Sequence, residues 1–294
     1  MATILAVGIA TLDIINTVER YPSEDSETRV ISQHKTRGGN ATNTLTILSQ
    51  LGHQCHWAGV LIDETDSQTI IQNLTQHSIN TSACKTLHSG KMPTSYITQS
   101  QHNGSRTIVH YRDCPEYDFA SFKKIDLNLV DWVHFEGRNI AETKRMLKYL
   151  KQAHPALPCS VEIEKARPNI ESLFPLPDWL FFSKDYVVSQ HQNEPTSFLS
   201  EVTQNTPIQA SCTWGESGAW IINKNQEITH QTIINKLPII DTLGAGDTFN
   251  AGIIHSQLQG KTLQESLSYA TQLASHKCTQ LGLDNINHNL TIQI

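Results

Sequence analysis

Residues 241–252 read Asp241-Thr242-Leu243-Gly244-Ala245-Gly246-Asp247-Thr248-Phe249-Asn250-Ala251-Gly252, the most informative motif of the chain. The apolar run at residues 237–240 predicts a strand before it, and apolar periodicity predicts a helix after it as far as residue 258. Two glycines one residue apart leave the backbone open to an anionic ligand. Because a helix start presents unpaired N–H groups and a positive dipole end, Gly244, Ala245 and Gly246 are predicted to form a phosphate cradle.

Asp247 falls in the first turn of that helix. A carboxylate at this position is commonly a capping group. Beside a phosphate cradle it can also accept a hydroxyl proton during phosphoryl transfer, and the helix dipole is expected to favour its ionised form. The cradle is not a Walker P-loop, because the chain contains no Gly-x-x-x-x-Gly-Lys-Ser/Thr sequence.

Composition limits the function classes. The chain has 294 residues, enough for one large α/β domain, and its 22 basic and 28 acidic residues give a net charge of -6 without a basic block. Neither nucleic acid nor an anionic membrane is therefore an expected partner. No apolar run approaches the roughly 20 residues of a membrane span. The six scattered cysteines form no Cys-x-x-Cys pair, which fits reduced thiols in the cytoplasm.

Strand and helix patterns alternate along most of the chain. Strands are predicted at 4–9, 132–135, 159–163, 180–183 and 208–213, with helices at 141–153, 168–174, 195–203 and 262–281. Such alternation predicts a mainly parallel sheet with helices on both faces. Strand formers around residues 101–105 predict a hairpin, and a further strand is predicted at 28–32. Together with residues 11–36, the hairpin predicts a small β-sheet whose exposed face needs a partner or a ligand.

Polar groups that follow predicted strands should meet at the carboxyl edge of the sheet. Asp13, the turn at 214–218 and the phosphate cradle all lie in such positions. Asn40 and Asn43 are three residues apart at the head of a predicted helix, so both amides can face one side, although such amides are as often caps and turn formers. Glu162 and Glu164 are expected to point to opposite faces of a strand and not to form a carboxylate pair.

The strand–Asp-Thr-x-Gly-Ala-Gly-Asp–helix arrangement resembles the signature of the PfkB (ribokinase-like) carbohydrate kinases. Other stretches extend the resemblance over almost the whole chain, towards the ketohexokinase (hepatic-type fructokinase) subgroup. They are Tyr21-Pro22 with Glu24-Asp25-Ser26-Glu27, Arg37-Gly38-Gly39-Asn40-Ala41, Glu136-Gly137-Arg138-Asn139, Ser160-Val161-Glu162-Ile163-Glu164-Lys165 and Ser183-Lys184-Asp185. The resemblance implies a single domain over 1–294, with a ribokinase-like three-layer α/β body and lid segments at about 11–36 and 88–117. It also implies a homodimer joined through the β-lids.

The implied reaction moves the γ-phosphoryl group of ATP to the 1-hydroxyl of fructose, with Mg²⁺ and a stimulating K⁺. Carried over by the resemblance, the sugar ligands are Asp13, Gly39, Asn40 and Asn43, with Asp25 reaching the partner subunit's site. Arg106 would contact phosphate from the lid, and Gly215, Glu216, Ser217 and Gly218 would form the nucleotide turn. Gly244, Ala245 and Gly246 would be the anion hole, and Asp247 the base.

One departure from many PfkB enzymes concerns the metal. Their Asn-x-x-Glu motif organises the Mg²⁺ region, and Ser183-Lys184-Asp185-Tyr186 stands in the comparable place here, so no metal ligand is assigned.

Two alternative functions also stay open. The same machinery could phosphorylate another sugar or a nucleoside, or the chain could be a non-catalytic sugar-binding relative. Retention of Asp247 with the cradle argues against the second.

Overall fold

The computed structural model describes residues 1–102, 104–233 and 238–286, and within these ranges it contains three sheets. In chain order the strands are β1 (Thr3–Val7), β2 (Thr11–Val18), β3 (Ser32–Gly38), β4 (Gln54–Ala58), β5 (Val60–Ile62), β6 (Ile79–Asn80), β7 (Lys85–Leu87), β8 (Lys91–Ser100), β9 (Arg106–Asp113), β10 (Trp132–Glu136), β11 (Cys159–Ile163), β12 (Trp179–Ser183), β13 (Gln209–Thr213), β14 (Ala219–Ile222) and β15 (Ile228–Gln231). The helices are α1 (Asn40–Gln50), α2 (Thr65–Gln76), α3 (Phe119–Phe122), α4 (Ile140–Ala153), α5 (Lys184–Ser189), α6 (Pro195–Thr203), α7 (Ala245–Leu258) and α8 (Leu263–Lys277).

The large sheet has nine strands in the order β15-β14-β13-β12-β11-β10-β1-β4-β6. Its central strands, from β4 through β1 and β10 to β13, all pair in parallel, while β14 and β15 add an antiparallel edge. Every residue of β10 and β11 is buried, so both faces of the sheet are covered. The predicted mainly parallel α/β body is confirmed.

A second, four-stranded sheet has the order β3-β2-β8-β9. The predicted hairpin is present, since β8 and β9 pair antiparallel and Gln99 lies opposite Arg106 across the turn. Strand β9 forms one edge of this small sheet, and most of its side chains are exposed. The small β-sheet predicted beside the α/β body is therefore also confirmed.

Several predicted element bounds differ from the structure. Residues 28–31 are not in a strand, and β3 begins only at Ser32. Of the strand predicted at 237–240, Leu237 lies outside the described residues. Pro238 to Ile240 forms no strand, because Pro238 has no N–H for a ladder and the Ile240 amide bonds Cys278 O instead. The helix predicted at 168–174 is a single 3₁₀ turn (Ile170–Leu173).

The last helix also ends earlier than predicted, at Lys277 rather than near residue 281. Across the parts of the chain that the structure describes, no helix has both the length and the apolar character that crossing a membrane requires.

Candidate active site

A cavity of about 1050 Å³ lies where the carboxyl ends of the central strands face the small sheet. Most of the residues predicted for the site line this cavity, namely Asp13, Gly39, Asn40, Asn43, Arg106, Gly215, Gly244, Gly246 and Asp247. The lining does not include Ala245, Glu216, Ser217, Gly218 or Asp25. The structure thus brings together groups from the nine-stranded sheet, the four-stranded sheet and the starts of α1 and α7.

The predicted phosphate cradle lies at the start of α7. Gly244 is its N-cap, with a left-handed backbone (φ 77°) that favours glycine, and the Ala245 amide donates to Thr242 O at 3.2 Å. A Cβ at Gly246 would meet no heavy atom within 4 Å, and its φ is not positive. Gly246 therefore leaves open space at the helix start, where a side chain would not strain the backbone.

Asp247 is buried at this helix start, with only 5% of its surface exposed. Its Oδ2 accepts a hydrogen bond from Asn43 Nδ2 at 2.8 Å. Burial raises the pKa of Asp247 well above its ordinary value; the Asn43 bond offsets part of the rise, and the neighbouring Glu164 and Glu136 add to it. The expectation that the helix dipole would favour the ionised form is therefore wrong for the unliganded protein, because burial dominates.

Arg37 fixes the orientation of Asn43. Its Nη1 donates to Asn43 Oδ1 at 2.9 Å, so the Asn43 amide group points its nitrogen towards Asp247. The other nitrogens of this buried guanidinium bind Thr46 Oγ1 at 2.7 Å and Asn73 Oδ1 at 2.8 Å. Asn43 was predicted as a sugar ligand. The series of hydrogen bonds from Arg37 through Asn43 to Asp247 was missed, since the only sequence signal was an arginine before the two glycines.

Asp13 lies on β2 and is also buried. Thr11 Oγ1 donates to its Oδ1 at 2.7 Å, and burial raises the pKa of Asp13. Gly39, with φ 109°, comes so close to Ile9 O that a Cβ would clash with this backbone oxygen. The resemblance predicts Gly39 as a sugar ligand, and the structure places it against the backbone of the segment between β1 and β2.

Three glutamates complete the cavity wall: Glu136, Glu162 and Glu164. The prediction that Glu162 and Glu164 face opposite ways is wrong, since side chains two residues apart on a strand share a face. Both line the cavity, Glu162 from β11 and Glu164 from the position just beyond its end. Burial raises the pKa of Glu136 to about 7, although Arg138 opposes the rise, and burial raises that of Glu162 as well.

Glu162 is the member of this group that could hold a cation. Asn250 Nδ2 donates to its Oε1 at 3.1 Å, while its buried Oε2 has no partner among the described residues. No three acidic, histidine or cysteine side chains in the described ranges form a ready metal site. This arrangement fits Mg²⁺, which usually takes one or two carboxylates and completes its shell with water and substrate phosphates.

Arg106 connects the small sheet to the cradle. Its Nη1 lies 3.4 Å from Asp241 Oδ1, and its Nη2 donates to Thr242 Oγ1 at 3.2 Å. The predicted nucleotide turn, which contributes Gly215 to the cavity lining, is a 3₁₀ turn (Gly215–Ser217) just after β13. Gly215 and Gly218 both have positive φ, so the backbone of this turn requires glycine.

Asp25 lies apart from this cavity. It is an exposed residue in the turn between β2 and β3, with a left-handed backbone (φ 56°). The structure of one chain therefore leaves untested the prediction that Asp25 serves the partner subunit's site.

Comparison with known proteins agrees with this geometry. Residues 1–290 match the model of the pfkB family carbohydrate kinases. The chain is 36% identical over 296 residues to ketohexokinase of Mus musculus, covering 96% of this chain and 98% of that protein. It is 23% identical to ribokinase of Bacillus subtilis (strain 168), covering 96% and 94%. A putative ribokinase from Agrobacterium tumefaciens has a similar structure, with a TM-score of 0.83 at 20% identity and coverage of 96% and 92%. The ribokinase-like fold, the cavity and the sequence match agree, and the chain belongs to the pfkB family of carbohydrate kinases.

Proposed function

We propose that this carbohydrate kinase transfers the γ-phosphoryl group of ATP to the 1-hydroxyl of fructose. The observation that carries the proposal is the buried Asp247 carboxylate at the start of α7, in one cavity with the Gly244 and Gly246 backbone and with Asp13. Fructose, and the position of attack, come from the similarity to ketohexokinase of Mus musculus.

The polar groups at the sugar end favour an unphosphorylated polyol. Asp13, Asn40 and Asn43 offer a carboxylate and two amides to the cavity, which suits a ring of hydroxyls. Arg37 is the nearby cation, but its nitrogens already bind side-chain oxygens of Thr42, Thr46 and Asn73 as well as Asn43. A sugar phosphate in this part of the cavity would therefore place its charge beside Asp13 and Asp247, where the Arg37 guanidinium is already engaged.

In the reaction, Asp247 takes the proton of the attacking hydroxyl. Asn43 holds Asp247 Oδ2, which leaves the other carboxylate oxygen for the substrate. The cradle amides and Arg106 stabilise the charge of the transferred group. Bound Mg²⁺ would neutralise the phosphate oxygens, with Glu162 as the side chain whose free oxygen fits it. A stimulating K⁺ is part of the proposal through the family resemblance alone.

We extend the proposal to the organisation of the protein. The family match over residues 1–290 supports a single carbohydrate kinase domain, with segments 11–36 and 88–117 as a lid over the sugar. The exposed apolar side chains of β9 support a homodimer in which two such lids meet. The scattered free cysteines are consistent with a cytoplasmic location.

The test is to incubate the protein with ATP, Mg²⁺, K⁺ and fructose and to identify the product by ³¹P and ¹³C NMR. We expect fructose 1-phosphate. Phosphate on the 6-position, or strong activity on ribose with none on fructose, would contradict the substrate assignment and favour another kinase of the family. A thermal-shift panel of sugars and nucleosides, with and without ATP, separates these cases from a relative that binds sugar without turnover.

A further inference from the structure

Lys277 is a buried charge that the proposed mechanism does not use. It is the last residue of α8, and its side chain has 0% exposure. Its Nζ donates to two oxygens of one residue, Asp241 O and Asp241 Oδ2, both at 2.8 Å. Lysines are almost never fully buried unless they are paired, so this placement calls for a reason.

Asp241 is the residue at which the loop before the phosphate cradle is held. Besides Lys277, its side chain accepts from the Leu243 amide at 2.9 Å and from the Gly282 amide at 3.2 Å. The Asp241 amide in turn donates to Cys278 O at 3.1 Å. Hydrogen bonds of both the backbone and the side chain of Asp241 therefore hold this loop to the end of α8 and the residues just after it.

Lys277 compensates the negative charge of the Asp241 carboxylate. A bare carboxylate three residues before Gly244 would oppose a phosphate bound at the helix start. Burial alone would raise the pKa of Asp241, but the hydrogen bonds from Lys277 and Leu243 hold it below its ordinary value, so the carboxylate is charged. Its compensation must then come from a cation that stays in place.

Arg106 is the other cation at Asp241, at 3.4 Å, but it comes from the small sheet and is partly exposed. If Arg106 moves to a nucleotide phosphate, as proposed, the carboxylate would lose that partner. Lys277 is fully enclosed and bonded at shorter distances, so it can compensate Asp241 while Arg106 is engaged elsewhere.

We propose that Lys277 is a positioning residue for the phosphate cradle: it fixes the loop at Asp241 and cancels the carboxylate charge, so that nucleotide phosphates can bind at the start of α7. This inference rests on the proposed kinase function. It predicts a defect specific to phosphates, which distinguishes it from a purely structural role.

The experiment compares Lys277→Met, the double variant Asp241→Asn/Lys277→Met, and Lys148→Met, which removes an exposed lysine on α4 as a matched control. Dissociation constants for ADP and for adenosine are measured by calorimetry, alongside turnover with ATP and fructose. We expect Lys277→Met to weaken ADP binding roughly tenfold or more while adenosine binding changes less than about twofold. The double variant should regain most of the ADP affinity, because the uncompensated charge is gone, and the control should match the wild type.

Equal losses of affinity for ADP and for adenosine, or unchanged ADP binding in folded Lys277→Met, would overturn the proposal. If Lys277→Met does not fold, the double variant decides: folding with near-wild-type ADP affinity supports the charge argument, and weak ADP binding or failure to fold refutes it. Wild-type protein that phosphorylates no sugar refutes the kinase proposal instead, so the two failures are distinguishable.

Discussion

Asp247 combines burial with a helix start, and its environment defines what the residue can do. The unliganded site raises the pKa of Asp247, which makes it a better proton acceptor at neutral pH than an exposed aspartate. Asn43 holds one carboxylate oxygen at 2.8 Å, so the acceptor is also oriented. Together these features suit a general base for a sugar hydroxyl.

Replacement of Asp247 by asparagine removes the base but keeps the shape. We expect Asp247→Asn to lower kcat about 100-fold or more, the scale of a general base, with sugar and ATP binding retained. Steady-state kinetics and calorimetric binding of both substrates measure the two quantities. Near-normal turnover in this variant would remove Asp247 from the mechanism.

The same variant should stabilise the unliganded protein in a pH-dependent way. A buried carboxyl whose pKa is raised by folding does not lower the unfolding free energy at a pH below its pKa in the unfolded state. Above that pH, the loss of unfolding free energy grows until the pH passes the pKa of the folded state. Asp247→Asn should therefore increase the unfolding free energy by about 1 kcal/mol or more at pH 8, and by little near pH 4. Urea unfolding at both pH values checks this. Equal effects at the two pH values would contradict the raised pKa.

Many residues of the site could be named from the sequence, but the contacts that join them across the fold could not. Asp247 and Gly244 could be predicted because a helix start and its glycines lie within a few residues of each other. The partnership of Asn43 with Asp247 spans 204 residues, and that of Glu162 with Asn250 spans 88. No local pattern encodes such pairs, since they depend on how the strands are ordered in the sheet.

At the scale of elements, α7 uses its glycines for two different purposes. A Cβ at Gly246 would enter open space near the cradle, whereas a Cβ at Gly252 would lie 2.9 Å from Ala270 Cβ on α8. One glycine keeps room for a ligand, and the other lets two helices pack closely.

This difference gives a matched pair of variants. Gly246→Ala should lose turnover by crowding the phosphoryl group, while its stability stays equal or rises by up to about 1 kcal/mol because alanine is the better helix former. Gly252→Ala should lower stability by about 1–3 kcal/mol through overpacking, with smaller effects on kcat. Thermal unfolding and kinetics of both proteins measure this. If Gly246→Ala unfolds, the glycine is a packing residue and the cradle interpretation fails.

Predicted bounds were accurate for α6 and α7, whose predicted ends at 195–203 and 258 match the structure. The strand prediction failed where backbone N–H groups form hydrogen bonds outside any sheet. Pro238 to Ile240 is apolar, yet the Ile240 amide bonds the end of α8 instead of a strand. Ile239 and Ile240 are both more than half exposed, so apolar character alone was misleading there.

At the scale of the whole molecule, the small sheet ends in an unprotected edge. Strand β9 is unpaired on one side within the described sheet, and its Ile108, Val109 and Tyr111 side chains are 53%, 65% and 52% exposed. Exposed apolar edge strands favour pairing with another chain. The proposed homodimer would cover this surface with the corresponding sheet of a second copy.

A dimer joined in this way could place the exposed Asp25 of each subunit at its partner's cavity, and subunit mixing tests that arrangement. Asp25→Ala and Asp247→Asn should each be weakly active alone. In a heterodimer, one site has an intact Asp247 and receives Asp25 from the other chain, so an equal mixture should recover roughly a quarter of wild-type activity. Glu19→Ala, another exposed carboxylate on the same segment, should stay active alone and serves as the control. A mixture no more active than the mean of its components, or a fully active monomer in sedimentation at micromolar concentration, would show that Asp25 does not act across a dimer.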